Sequence, residues 1–259
     1  MPFVTKFQTA IIFLLGTILG SFLNVCIYRL PRKLSILRPG SHCPRCKTAF
    51  PLWFNIPLLS YVLLRGKCRY CKRPISIRYP LVEFLTGALL ALVFNIYGLG
   101  LAFIEYSVLI LFLVPISFID IDYKLILNRL TFPGMAIGLA LSVLFHRTSI
   151  YQALAGLFLG GGFLWLVGLL GHALFKKESM GGGDIKLAAM IGAFLGPQVI
   201  LALFLAFFLT IPAIIIGMSL GRIQMGSALP FGPFISSGAV SMVCFGHQLI
   251  RLYSNYLIR

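Results

Sequence analysis

The sequence predicts an all-α polytopic membrane protein with about eight transmembrane helices and one small polar insertion between the first two. Hydrophobic residues make up 59% of the 259 positions and charged residues 11%, which is far too apolar for an ordinary soluble domain. Several uninterrupted apolar runs reach the ~20 residues that a helix needs to cross a bilayer. Helices are the expected spanning form because lipid cannot satisfy open backbone groups and the runs lack the alternation of barrel strands.

The first predicted helix occupies residues 1–28, with an apolar run from about Phe7 to Tyr28. This run is longer than the ~7–15 apolar residues of a cleaved signal peptide, so we expect the helix to be retained. Gly16 and Gly20 form a small-xxx-small pair, which predicts close packing against another membrane helix.

The polar insertion comprises residues 29–79 and carries 12 of the 22 basic residues of the chain. Lys and Arg concentrate on the cytoplasmic side of membrane proteins, so the insertion is predicted to be cytoplasmic. The net charge of +16 is therefore attributed to topology and to attraction to anionic membrane lipid, and we expect no nucleic-acid partner. A short apolar stretch at 51–64, interrupted by prolines, is expected to lie at the membrane surface.

Residues 80–259 are predicted to form the membrane domain. Gly196-Pro197 should divide the long apolar run 185–220 into two helices, because a proline interrupts helical hydrogen bonding. Glycines at 156, 160, 161 and 162 predict close packing of the fifth helix. The other predicted helices span about 80–97, 101–119, 130–146 and 150–175, and the last ends near 250.

Alternation of the predicted helices fixes which ends share a membrane face. With the insertion in the cytoplasm, the third helix returns to the cytoplasmic face at Asp120 and the fifth returns before Asp184. Both aspartates are therefore predicted to reach one face, although they lie 64 positions apart in the sequence.

Carboxylates are scarce in this chain, which has six acidic residues in total. Its three aspartates fall in two stretches, Asp120-Ile121-Asp122 and Gly181-Gly182-Gly183-Asp184-Ile185-Lys186. Two carboxylates held together cannot both ionise cheaply and can share a proton around a water. One can then act as general base on that water while the other acts as general acid on a peptide carbonyl.

Other roles for the aspartates stay open on these grounds alone. Asp184 opens a predicted helix and could be its N-cap, although an N-cap does not require three preceding glycines. Asp120 could pair with Lys124 one turn away, and Asp122 could cap a helix or face solvent. Membrane carboxylates also carry protons or ions in transporters.

The insertion contains two C-x-x-C pairs, Cys43/Cys46 and Cys68/Cys71, separated by 21 residues. This spacing suits a tetrahedral structural zinc site with four cysteine ligands. A cytoplasmic location disfavours disulfides, so the alternative is two reduced or redox-active thiol pairs.

These motifs, taken in order, resemble the bacterial type IV prepilin peptidases, the bifunctional leader peptidase/N-methyltransferases of the G-x-G-D aspartyl protease class. The resemblance covers nearly the whole chain. The matching stretches lie at 20–31, 41–46, 56–61, 65–71, 75–83, 120–122, 181–187 and 229–234. One departure follows the D-x-D motif, where the family usually has a proline and this chain has Ile126-Leu127-Asn128.

The resemblance implies that Asp120 and Asp184 are the catalytic pair of an aspartic endopeptidase. It implies cleavage at the cytoplasmic face of the bacterial inner membrane, after the glycine that ends a short basic leader. The implied substrates are type IV prepilins or type II secretion pseudopilins. The motif positions that support the pair are Asp122, Gly181, Gly183 and Lys186.

The resemblance further implies that the new N-terminus is methylated with S-adenosylmethionine. The zinc-binding insertion is assigned to this second activity because archaeal relatives, which do not methylate, lack it. The sequence shows no Gly-rich dinucleotide-type turn for the methyl donor. Glu83 is a candidate to bind the free amino group of the substrate, and structural pairing with Arg78 is the alternative.

Two other classes of function compete with this interpretation. An ion- or proton-coupled transporter would use the same aspartates, and it predicts inverted repeats and carboxylates near the midplane. A non-enzymatic secretion or pilus assembly protein would use the cysteine-rich insertion for docking. It predicts that the aspartates are dispensable.

Overall fold

The computed structural model describes residues 2–38, 40, 46, 48, 56–145, 148–176, 180–221 and 229–257. These residues form nine α-helices, which confirms the all-α prediction. The helices are α1 (Pro2–Arg29), α2 (Leu59–Leu63), α3 (Arg78–Tyr97), α4 (Leu101–Tyr123), α5 (Asn128–Phe145), α6 (Ile150–Phe175), α7 (Gly182–Leu195), α8 (Val199–Ser219) and α9 (Gly232–Leu257).

Six described segments are long and apolar enough to cross a membrane, which makes this a multi-pass membrane protein. Five of them lie in α1, α3, α4, α5 and α6. The sixth, Gly182–Ser219, contains both α7 and α8. As predicted, the chain breaks at Gly196–Gln198, a single 3₁₀ turn in which Gly196 has a φ of 60°. The apolar part of α9 is shorter, at Gly232–Gly246.

Helix α4 extends further than the sequence predicted, because it continues to Tyr123 instead of stopping at residue 119. It ends where Lys124 adopts the left-handed conformation and its amide donates to the carbonyl of Asp120. Neither Asp120 nor Asp122 breaks the helix, so both lie in its final turns instead of in a following loop. Their side chains are therefore held by a regular backbone.

The chain divides into two compact units, Met1–Gly98 and Leu99–Arg259. In the first unit, α1 and α3 pack at van der Waals distance through glycine. A Cβ atom on Gly16 would lie 2.7 Å from the Cα of Gly87, and one on Gly20 would lie 2.8 Å from the Cα of Glu83. The predicted role of the Gly16/Gly20 pair in helix packing is thus confirmed.

In the second unit, α6 and α7 approach each other closely at glycines. A Cβ atom on Gly156 would overlap the carbonyl oxygen of Gly192, and one on Gly160 would overlap that of Ala188. The prediction of close packing is wrong for Gly162, where an added Cβ atom would meet nothing within 4 Å. Gly162 lies on a different side of α6 from Gly156 and Gly160, because residues share a helix face at spacings of three or four.

Candidate active site

Asp120 lies in the last turns of α4 and is buried, with 5% of its surface exposed. Its Oδ2 atom accepts a hydrogen bond of 2.9 Å from the backbone amide of Gly232, the first residue of α9. A Cβ atom at position 232 would lie 2.8 Å from the same oxygen, so a larger residue would press on the carboxylate. In the described part of the chain, the carboxylate of Asp120 is thus held by Gly232 rather than by Lys124.

Asp184 lies in the first turn of α7, and Gly181 occupies the N-cap position. Asp184 is therefore not the N-cap itself. Its amide donates to the carbonyl of Gly181 at 3.0 Å, and its carboxylate is hydrogen-bonded to the Gly181 backbone in return. This reciprocal pair satisfies free amides at the start of the helix, and the negative charge suits the positive end of the helix dipole.

The structure brings the two carboxylates together. Asp120 and Asp184 are close enough to repel each other electrostatically, although 64 positions separate them in the sequence. Each is held by the backbone of a glycine at a helix N-terminus, Gly232 for Asp120 and Gly181 for Asp184. Asp120 is buried and Asp184 is half-buried. Two carboxylates that repel each other at close range can share a proton, as water-activating aspartate pairs do.

The segment between α4 and α5 packs against the start of α7. A Cβ atom on Gly183 would lie 2.8 Å from the Cβ atom of buried Ile126. Gly183 is therefore required by a close approach, whereas an added Cβ atom on neighbouring Gly182 would meet nothing within 4 Å. Ile126 belongs to the stretch where this chain departs from the family pattern, and its side chain packs against the first turn of α7, which carries Asp184.

Lys186 ties α7 to the start of α5. Its Nζ atom donates a hydrogen bond of 3.0 Å to the Oδ1 atom of Asn128 and lies 5.7 Å from the ring centroid of Phe132. The hydrogen bond links the first turn of α7, which also carries Asp184, to the first residue of α5, and the supporting role of Lys186 at the site stays a prediction. Asp122 lies in the last turn of α4 and is exposed, and its supporting role stays a prediction.

Sequence reasoning did not single out Gly232 or Asn128 as contacts of the site. A signal for Gly232 was present, because a glycine flanked by proline and aromatic residues in Pro230-Phe231-Gly232-Pro233-Phe234 suggests a constrained backbone. No local signal marks Asn128. Its partner lies 58 positions away, and an asparagine at the start of a helix is usually interpreted as an N-cap residue.

Three of the four predicted metal ligands cluster in the first unit. The sulfur atoms of Cys46, Cys68 and Cys71 lie within 4.8 Å of one another, and Cys43 lies outside the described residues. Four thiolates at a Zn–S distance of 2.3 Å stand roughly 3.8 Å apart, so the three sulfurs fit such a site. The Cys68 carbonyl accepts a hydrogen bond from the amide of Lys72, which has a φ of 55° and ends the turn that carries the second cysteine pair.

Glu83, in α3, is buried against α1 and the turn that precedes α2. Its Oε2 atom accepts a hydrogen bond of 2.8 Å from the amide of Leu58, and its carboxyl group also bonds the hydroxyl of Ser21. Leu58 has a φ of 60°, a conformation that costs free energy for a leucine and that this hydrogen bond helps to stabilise. Glu83 therefore anchors the insertion to the α1–α3 helix pair.

A multi-pass helical protein that pairs two aspartates at the ends of its helices has the features expected of a membrane aspartyl protease. The comparisons identify the family. Residues 14–97 match the model of the bacterial peptidase A24 N-terminal domain, and residues 107–218 match that of the type IV leader peptidase family. The chain belongs to the type IV prepilin leader peptidase family.

Three relatives named prepilin leader peptidase/N-methyltransferase illustrate the similarity. The Myxococcus xanthus protein is 42% identical over 75% of this chain, which spans 58% of that protein. The Neisseria gonorrhoeae protein is 34% identical over 90% of this chain and 89% of its own length. The Aeromonas hydrophila protein is 35% identical over 96% of this chain and 94% of its own length. No solved structure matches this chain.

The contact between Gly183 and Ile126 can be tested with two matched substitutions. We expect Gly183→Ala to lower the melting temperature in detergent, because the new methyl group would press on Ile126 at the Asp184 turn. Overpacking of this kind typically costs about 1–3 kcal/mol. Gly182→Ala, where the space is open, is the control and should melt like the wild type. Equal melting of both variants would contradict the contact.

The cysteine cluster predicts bound metal. We expect elemental analysis of the purified protein to find zinc, at about one ion per chain. Cys68→Ser should lose it, because a serine hydroxyl is a poor ligand for zinc in a thiolate site. Cys244→Ala, which removes a buried cysteine in α9, should keep the metal. Wild-type protein free of metal after purification without chelators would refute the zinc prediction.

Proposed function

We propose that this chain is a prepilin leader peptidase that also N-methylates its product. The observation that carries the proposal is the pairing of Asp120 with Asp184. Family membership supports it, because the relatives are named for both activities. The same pairing at helix ends, away from a membrane midplane, gives no support to a transporter.

The peptidase reaction needs only water and the two carboxylates. The water oxygen bonds to the peptide carbonyl carbon while one carboxylate takes a proton from that water. The other carboxyl group gives its proton to the carbonyl oxygen. Collapse of the resulting gem-diol breaks the C–N bond, and the leaving nitrogen takes up the proton held by the first carboxylate. One hydroxyl of the diol returns a proton to the second carboxylate as the new carboxyl group forms, which restores the pair. The exposed glycine backbone at Gly181 and Gly182 supports approach of an extended peptide to the pair.

We propose type IV prepilins or type II secretion pseudopilins as the substrates. Their cleavage would occur after the glycine of a short basic leader, at the cytoplasmic face of the bacterial inner membrane. The concentration of basic residues in the 29–79 insertion supports this orientation. The electrostatic interaction of Asp120 with Asp184 supports it as well, because that orientation requires the end of α4 and the start of α7 to share a membrane face.

The second reaction transfers a methyl group to the new N-terminal nitrogen. S-adenosylmethionine supplies that group on a sulfonium sulfur, and the substrate ammonium must lose a proton. Glu83 is the only acidic residue among residues 1–98 of the sequence, and we propose that it binds this amino group. A carboxylate has about four acceptor sites, so the hydrogen bonds from Leu58 and Ser21 leave capacity for another donor.

A mass-spectrometric cleavage assay tests the peptidase. Purified protein would receive a full-length prepilin in detergent, and loss of the leader is expected with the wild type. Asp120→Asn and Asp184→Asn should each slow cleavage by at least about 10³-fold, because neither asparagine can exchange a proton with water. The variants should keep the wild-type melting temperature to within a few degrees.

Either variant cutting at the wild-type rate would show that the pair is wrongly assigned. A folded wild-type protein that leaves every prepilin and pseudopilin intact would refute the proposed function. A pilus assembly role would then regain support.

Glu83→Gln separates the two activities. Glutamine is isosteric, and its carbonyl oxygen can still accept from the Leu58 amide, so the insertion should stay anchored. We expect normal leader removal and at least about 10-fold less addition of one methyl mass in the presence of the donor. Unchanged methylation would leave Glu83 with its anchoring role alone.

A further inference from the structure

The start of α9 carries two polar groups on one face of the helix. The first is the amide of Gly232, which donates to Oδ2. The second is Ser236, one helical turn further along α9 and on the same face as Gly232, because positions i and i+4 lie one above the other.

Ser236 is almost fully buried, with 5% of its surface exposed. Its hydroxyl has no hydrogen-bond partner among the described residues. The adjacent Ser237 behaves as an ordinary helical serine, since it is exposed and its hydroxyl donates to the carbonyl of Pro233 at 2.8 Å. The hydroxyl of Ser236 is therefore directed away from the backbone carbonyl that would usually satisfy it.

A buried hydroxyl without a partner destabilises the fold, and an alanine would occupy the position without that penalty. The hydroxyl is thus suited to a polar group that is not part of the protein chain. A buried water typically needs two to four polar partners. Gly232, one turn before Ser236 in α9, donates its amide to the Asp120 carboxylate, and that carboxylate is the acceptor that such a water would need.

We propose that the first two turns of α9 belong to the active site together with the end of α4 and the start of α7. In this site the amide of Gly232 positions the Asp120 carboxylate, and the hydroxyl of Ser236 holds the hydrolytic water beside it. The inference rests on the proposed peptidase function and adds to it the placement of the nucleophile. Gly232 acts through its amide and through the space that its missing side chain leaves at Oδ2. Ser236 contacts the reacting water, so it counts as a catalytic residue.

The arrangement follows from the chemistry of water attack. A water between two carboxylates must present one lone pair to the peptide carbonyl, which requires a fixed orientation. A carboxylate alone accepts hydrogen bonds and leaves the water free to rotate. The serine hydroxyl can donate to the water oxygen or accept from it, so it restricts that rotation.

Steady-state cleavage of a prepilin by the full-length protein tests the role of Ser236. We expect Ser236→Ala to lower kcat roughly 10- to 100-fold with little change in KM, because the water is used in the chemical step and not in substrate binding. Its melting temperature should equal or exceed that of the wild type, since an unsatisfied hydroxyl has been removed. Ser237→Ala is the matched control and should cut at the wild-type rate.

Gly232→Ala tests the other half of the proposal. The added methyl group would lie 2.8 Å from the Asp120 oxygen, so we expect a kcat loss at least as large as that of Ser236→Ala. Gly162→Ala, which places a methyl group in open space in α6, is the control for a glycine-to-alanine change in a membrane helix.

A Ser236→Ala variant that cuts at the wild-type rate overturns the proposal. A variant whose melting temperature falls, or whose loss lies in KM, also overturns it and makes Ser236 a packing residue. If Gly232→Ala cuts normally, the positioning role of Gly232 is wrong. Failure of the wild type to cut refutes the proposed function instead, so the two failures are distinguishable.

Discussion

The structure depends on holding two carboxylates together through the backbone of two glycines at helix starts. An aspartate at the edge of a membrane is partly shielded from bulk water, so hydrogen-bond donors of the protein stabilise its charge. The donors here are backbone amides at helix starts, where free N–H groups are available by geometry. The Gly232 amide belongs to α9, and the Gly181 backbone precedes α7. Hydrogen bonds to the two aspartates therefore involve three helices, because Asp120 itself lies on α4.

Close helix packing makes this convergence possible. Glycines and small residues let α6 approach α7 until backbone meets backbone, and the Gly183–Ile126 contact sets the α4–α5 segment against the Asp184 turn. In lipid there is little hydrophobic force between helices, so such contacts and a few hydrogen bonds, including that of Lys186 with Asn128, supply the specificity. The site is therefore built from small residues as much as from acidic ones.

The first unit also pairs a carboxylate with a backbone amide, and there the pairing holds the insertion to two helices. Its single acid, Glu83, satisfies the amide of a strained turn and joins the cysteine-bearing insertion to the α1–α3 pair. A carboxylate in this place can stabilise the fold and still have acceptor sites for a ligand. Separate units for the cysteine cluster and for the aspartate pair are consistent with a chain that performs two reactions.

The amino-acid sequence by itself determined the helical class, the division at Gly196-Pro197, the two cysteine pairs and the two stretches that carry the aspartates, because composition, length of apolar runs and motif spacing are local properties. Tertiary structure decided the rest. The extension of α4 through Asp122 depends on the conformation of Lys124, and the roles of Gly232, Ile126 and Asn128 depend on partners 57 to 112 positions away. Such contacts leave no periodic trace in a sequence, since they arise only when helices pack and bring distant backbone groups within hydrogen-bonding distance.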